Sequence, residues 1–258
     1  MRDVWRTFMM KKTVDVTKEI IDNIKKLDFE CEAEQSKACL KLEKYGIRFI
    51  DTLLENYHSF NNKQIMTAGK IAVGVKIDGD SKKDSKYFIP IINNLIIRLK
   101  NDDDKMQMTI WLTVLGKMGN VHTIPVIAGL LMSEDKRIRA NAVEALGKIG
   151  GDKVKELLLP YLKDSSNRVK ANTAIALWEF NELRSKVRKA FDEMVKDRDK
   201  WMKASAFYAF GEIKADEFVQ ILLNSIDDND EDVCRNAFLA LVSYAEQYGD
   251  EDLSNIIK

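Results

Sequence analysis

The sequence predicts an all-α protein built from a repeated pair of helices, and three observations carry that reading. Leu, Ile, Ala, Lys and Glu dominate a 258-residue chain with only 3 Pro and 12 Gly, a helical composition. No apolar–polar alternation of strand period runs for long. A nine-residue pattern recurs along the chain, most clearly as RANAVEALG at 139–147.

The relatives of that stretch are KANTAIALW (170–178), KASAFYAFG (203–211) and CRNAFLALV (234–242), with MTIWLTVLG (108–116), MTAGKIAVG (66–74) and the weaker ACLKLEKYG (38–46) upstream. The starts are spaced by 28, 42, 31, 31, 33 and 31 residues. The eighth position is large: Tyr45, Val73, Leu115, Leu146, Leu177, Phe210 and Leu241. The seventh is small or β-branched in every copy but one: Ala72, Val114, Ala145, Ala176, Ala209 and Ala240, with Lys44 as the exception. A small residue beside a large one on one stripe lets two helices approach closely. Four residues before each copy stands Glu34, Asn62, Asp104, Asp135, Ser166, Asp199 or Asp230, six of them N-cap types. These copies are the A helices.

A second helix, B, follows in each unit. Its core columns are Leu53, Leu95, Val126, Leu157, Ala190 and Ile221, and beside them Leu54, Ile96, Ile127, Leu158, Phe191 and Leu222. One A–B pair cannot bury its apolar face alone, whereas stacked pairs share a continuous core. Residues 15–29 read as an amphipathic capping helix through Val16, Ile20, Ile24 and Leu27. Residues 1–13 look poorly anchored, and Met9 and Met10 are alternative starts to Met1. Several features depart from the pattern. Trp178 and Val242 replace glycine, Pro160 should kink its B helix, VKIDGDSKKDSKYF is a polar insertion, and the last B segment is short.

The D-x-x-x-R-A-x-A-x-x-A-L-G run from Asp135 to Gly147 and the I-P-V-I at 124–127 resemble HEAT-like repeats of the phycobilisome-lyase type. The resemblance covers roughly residues 31–258 and is most specific from 102 to 242. It implies a right-handed α–α superhelix, a HEAT-like solenoid of about seven helical pairs, with A helices convex and B helices concave. The expected organisation is a single domain over 1–258, with 1–30 as tail and capping helix and 31–258 as repeats. The repeat class specifies no single activity.

The G-K-I-G-G tail after Leu146 poses the question of a phosphate loop. Such a loop needs G-x-x-x-x-G-K-[ST] after a strand. Here no strand precedes it, no Ser or Thr follows Lys148, and Gly147 recurs as Gly46, Gly74, Gly116 and Gly211. Glycine there is a helix cap or a close-packing residue. Only His58 and His122 are present, neither followed by Glu, and Cys31, Cys39 and Cys234 have no metal spacing. The reading therefore assigns no metal site, no catalytic residue and no cofactor. The cysteines read as reduced thiols of a cytoplasmic protein, and no run of about 20 apolar residues marks a membrane span. The start lacks the apolar stretch of a secretory signal. Trp111 should fill core space, and Trp201 should pack in the first turn of its A helix.

The 41 basic and 41 acidic residues cancel overall, but residues 136–203 carry net +7 and 204–258 net −9. The resulting dipole fits an electrostatically steered protein partner or self-association. In the B helices the column Glu55, Ile97, Ala128, Leu159, Asp192 and Leu223 lies about 130° from the core stripe. Either it packs against neighbouring B helices, or Ile97, Ala128 and Leu159, with Arg98, Met132 and Pro160, floor an apolar groove bordered by basic residues. The candidate partner-binding residues are thus Ile97, Arg98, Ala128, Met132, Leu159, Pro160, Lys163, Arg184, Lys186, Arg188 and Lys189. The functional expectation is a non-catalytic scaffold or adaptor that binds another protein. The alternatives are an accessory subunit of a phycobilin-lyase-like or chaperone-like system, and a nucleic-acid-binding protein using Lys186, Arg188 and Lys189. Leu159→Glu separates the two readings of the column. It unfolds the protein if the column is core, and leaves melting unchanged while abolishing partner capture if the column is a groove.

Overall fold

A computed structural model describes residues 15–28, 32–75, 92–97, 99, 104–118 and 121–247. Among them, every regular element is helical. Arg98, Cys31, residues 1–13, the insertion beyond Val75 and the last B segment lie outside the described residues. The chain divides into two compact units, residues 1–126 and 127–258.

In the first unit, a helix over 15–25 runs into the 3-10 turn Lys26–Asp28. Ile20, Ile24 and Leu27 are buried, as the amphipathic pattern requires. The segment caps the repeats through polar contacts as well. Gln35 donates to the Leu27 carbonyl at 2.7 Å, and Gln64 donates to the Lys25 carbonyl at 3.1 Å. Asn61 and Gln64 also donate to the Asp28 carboxylate, which holds its pKa below the usual range. The repeats begin with α1 (Glu32–Tyr45), α2 (Ile47–Glu55) and α3 (Asn62–Gly74). The A helix α4 (Lys105–Met118) packs on α3. Trp111 is fully buried beside the Tyr57 ring, with centroids 5.9 Å apart.

The unit boundary falls within α5 (Ile124–Gly129). The second unit is the most regular part of the chain. Its A helices are α6 (Lys136–Ile149), α8 (Asn167–Trp178), α10 (Lys200–Ile213) and α12 (Glu231–Ala245). They stack in sequence order, each against the next. Its B helices are α7 (Asp152–Leu158), α9 (Arg184–Val195) and α11 (Val219–Leu223).

Small residues set the spacing of the A helices. A Cβ on Gly147 would stand 2.8 Å from the Ala176 Cβ, and one on Gly211 would stand 3.0 Å from the Ala240 Cα. In both cases the ninth position of one copy faces the seventh of the next. Gly147 and Gly211 thus serve close packing inside the helix. The positive-φ caps come three residues later, at Gly150 (φ 70°) and Lys214 (φ 54°). Where Trp178 replaces glycine, its ring joins Phe191 and Phe218, and Phe218 stacks on Phe210 with centroids 4.0 Å apart.

Capping departs from expectation in two units. The N-cap of α3 is Asn61, one residue earlier than Asn62, because Asn61 and Gln64 form a reciprocal capping box. Ser166 precedes α8 but its side chain caps nothing. Asp164 accepts the Ser166 amide at 2.7 Å. The same carboxylate takes both Nε and Nη2 of Arg139 at 3.1 Å, while Arg139 Nη1 donates to the carbonyls of Ser133 and Glu134. Asp135, Asp199 and Asp230 cap as expected, accepting amides two residues on at 2.8–2.9 Å.

Pro160 does not introduce an isolated kink. Helix α7 ends at Leu158, and Leu159–Lys163 continues as a 3-10 segment. The preceding unit tightens in the same way at Leu130–Met132, where no proline stands. The change therefore belongs to the repeat, and Pro160 sits at a position where its missing amide is tolerated.

Two substitutions test this architecture by thermal or urea unfolding. Gly211→Val should cost about 1–3 kcal/mol by overpacking against backbone, whereas Gly74→Ala, with nothing near its added carbon, should be neutral or slightly stabilising. Asp164→Ala should cost about 1–3 kcal/mol, because it takes the carboxylate from a largely buried Arg139 guanidinium that keeps only the Ser133 and Glu134 carbonyls.

Candidate functional site

The second unit carries an open cleft of about 580 Å³ between the 3-10 segment Leu159–Lys163 and α9. Its wall is apolar at Leu159, Pro160, Leu162 and Ala190, and charged at Lys163, Lys186, Lys189 and Glu193. Local structure explains the arrangement. The 3-10 turn projects Pro160 and Lys163 outward while Leu162 stays buried. On α9, residues 186, 189, 190 and 193 follow the i, i+3, i+4, i+7 spacing of one helical face. Val187, Phe191 and Met194 face the core.

The candidate residues fall into separate places. Leu159, Pro160, Lys163, Lys186 and Lys189 come together in the cleft. Arg184 and Arg188, one turn apart, reach instead over the Trp178 ring, 5.3 and 5.8 Å from its centroid. Arg184 also donates to the Trp178 carbonyl at 3.3 Å, and Arg188 pairs with Glu217 at 2.6 Å. Met132 is 81% exposed, with its sulfur 3.5 Å from the Tyr161 hydroxyl. Ala128 and Leu159 are half-buried in the second unit, and Ile97, in the first, is 52% exposed.

The electrostatics separate two kinds of lysine. Lys155 is held between Glu182 at 2.8 Å and Asp152 at 2.9 Å, and these carboxylates, Glu182 foremost, push its pKa upward. Lys163, Lys186 and Lys189 have no ion-pair or hydrogen-bond partner among the described residues. Their charge is available to a ligand.

Sequence reasoning missed Leu162, Ala190 and Glu193 as part of this surface. The i+3 and i+4 spacing from Lys186 and Lys189 was the signal that could have found the last two. Trp201 corrects an expectation. It is 51% exposed, with Lys200 5.0 Å over its ring, while its backbone is held at both ends, the amide by Asp199 and the carbonyl by Asn167. The first turn of α10 turns this side chain outward, so the core lies with Met202 instead. Among the described residues, no cluster of three His, Cys, Asp or Glu side chains could hold a metal ion, and no helix is long and apolar enough to cross a membrane.

Stacked helical pairs joined by Gly–Ala contacts define a class of α-helical repeat protein. The family model for HEAT repeats matches residues 92–178 and 156–242, which together take in more than half of the chain. The chain belongs to the HEAT-repeat family. It is similar in structure to the complex of CpcE and CpcF of phycocyanin lyase from Nostoc sp. PCC7120, with 15% identity, 91% of each chain covered and a TM-score of 0.57. It is also similar to the E. coli protein YIBA_ECOLI, with 16% identity, 95% of each chain covered and a TM-score of 0.50. Identities this low establish a shared fold alone. No curated protein sequence matches the chain.

Charge reversal at the cleft should be structurally silent. Lys186→Glu with Lys189→Glu is expected to shift the melting temperature by less than about 2 °C, since both side chains are exposed and have no hydrogen-bond or ion-pair partner among the described residues. A cooperative melt followed by circular dichroism checks it.

Proposed function

We propose that the protein is a non-catalytic scaffold that binds another protein, and that the cleft between Leu159–Lys163 and α9 takes part in the binding. One observation carries the reading: an apolar floor of Leu159, Pro160 and Ala190 lies among three lysines with no hydrogen-bond or ion-pair partner among the described residues. Such a surface suits a segment that offers apolar side chains flanked by Asp or Glu. The apolar contact supplies affinity, and the lysines supply steering and register. Glu193 at the rim sets a sign requirement of its own, repelling an acidic residue placed beside it.

The same lysines would meet phosphates, and the net +7 of residues 136–203 favours that second reading. The apolar floor is the feature a phosphate backbone would leave unused. An accessory role like that of a phycobilin-lyase subunit rests on the likeness to the CpcE–CpcF complex.

Affinity purification from the native host, with lysine-directed cross-linking and mass spectrometry, separates these readings. The expected result is a protein partner cross-linked at Lys163, Lys186 or Lys189. Its recovery should fall at least tenfold on Lys186→Glu with Lys189→Glu. Cross-links confined to other surfaces, with recovery unchanged by the reversal, would overturn the cleft as the binding site. Salt-sensitive retention on DNA that is lost on the same reversal would transfer it to nucleic acid. A co-purified pigment absorbing visible light would transfer it to the lyase class.

A further inference from the structure

Helix α12, the last described, buries Val233, Ala237, Ala240 and Tyr244 toward the rest of the unit. On the opposite side runs a stripe of Arg235, Phe238, Leu239, Val242 and Glu246. Phe238 is 59% exposed, Leu239 56% and Val242 41%. The charged side chains at the two ends are 65% and 69% exposed. In the inner A helices the fifth position of the motif, held here by Phe238, is Val143, Ala174 or Phe207, each at most 1% exposed. The ninth, held by Val242, is Gly147, Trp178 or Gly211. The stripe therefore includes the face by which inner helices stack, here uncovered among the described residues and still apolar.

This face is not shaped for another unit of the same repeat. The second motif position is Ala140, Ala171 and Ala204 in the inner helices and Arg235 here. Arg235 and Val242 stand where alanine and, in two of three copies, glycine allow the close approach seen at Gly147 and Gly211. A helix that lies farther off and answers charge with charge fits better. We propose that the stripe is a self-association surface, on which a second copy of the chain lays its own α12 antiparallel about a two-fold axis.

The spacing makes the stripe complementary to itself. An axis passing between Ala240 and Leu241 sets Leu239 opposite Val242 of the second copy and Arg235 opposite its Glu246. Phe238 packs at the centre. A two-fold axis repeats each contact, so two apolar pairs and two ion pairs form together. Residues 235, 239, 242 and 246 follow the 4, 3, 4 spacing that keeps one seam against a partner helix. Within one chain Arg235 reaches Asp232 at 3.7 Å and Glu246 reaches Lys214 at 4.0 Å. Both are long, exposed contacts that can be exchanged at little cost. The surface is separate from the cleft and does not depend on its role.

Sedimentation velocity of the whole chain over a concentration series tests the proposal. A concentration-dependent dimer is expected. Phe238→Glu should abolish it, with the melt confirming that the variant is folded. Arg235→Glu and Glu246→Arg should each weaken the dimer by roughly five- to tenfold, since each breaks two symmetric ion pairs. Combining them should restore it to within about threefold, because the swapped charges again face each other. The two charge variants alter only exposed side chains, so they decide the matter even if Phe238→Glu does not fold. A monomer at all concentrations, a dimer indifferent to these residues, or a double variant no better than the singles would overturn the proposal.

Discussion

The close approach of successive A helices in the second unit sets the terms for everything else that unit builds. Gly147 against Ala176 and Gly211 against Ala240 leave no room for a larger side chain, so glycine backbone meets alanine along one edge of the stack. A stack held this tightly fixes each B helix by its connection to an A helix on either side. It also makes the contacts nearest-neighbour in kind, so that each pair depends chiefly on the one before and the one after. Arg139 and Asp164 show the same logic in polar form. The guanidinium of one A helix is satisfied by the carboxylate that closes the following B segment and by two carbonyls of the preceding turn.

Trp178 is the one break in the glycine rule between α6 and α10, and the candidate surface follows from it. An indole in the glycine position cannot lie flat against the next A helix. It is taken up by Phe191 of α9 and Phe218 before α11. That anchors α9 by one face, and Arg184 and Arg188 close over the ring from the same side. With those two cations committed to Trp178 and Glu217, the other face of α9 turns Lys186 and Lys189 toward the 3-10 segment. The basic helix is thus two surfaces, one structural and one free.

The repeat, its register and most of its core columns were legible in the sequence because they are periodic, although the B-helix column at Val126, Leu157 and Ile221 is only half-buried. A position that is Leu115, Leu146, Leu177 and Phe210 in successive copies declares itself, and all four are buried. The exceptions were legible only as exceptions. Pattern alone could mark Trp178 as unusual, but its partners come from different elements, Phe191 from the core column of α9 and Phe218 from the turn before α11, and no spacing links the three. The division of Arg184 and Arg188 from Lys186 and Lys189 followed from 100° per residue, yet which face turned inward depended on Trp178. Capping failed for a local reason: Asn61 and Asn62 are both good caps, and only the Gln64 side chain, three residues after Asn61, chooses between them. Trp201 was misjudged on residue type alone, since its column in the other A helices of the second unit is Arg137, Arg168 and Asp232, a polar and outward-facing position.

The same periodicity gives the exposed face of α12 its meaning. An apolar residue on a surface is ordinary, and three together on one helix would mark little more than a patch. Phe238 is different because the column it belongs to is buried in each of the three preceding A helices. The change at its neighbour is equally specific, since an alanine kept at 140, 171 and 204 becomes Arg235. A helix face that met only water would be polar along its whole length. Here the centre stays apolar and opposite charges stand at the two ends, an arrangement that rejects a further stacked unit of this repeat and suits a helix carrying the same sequence in reverse direction.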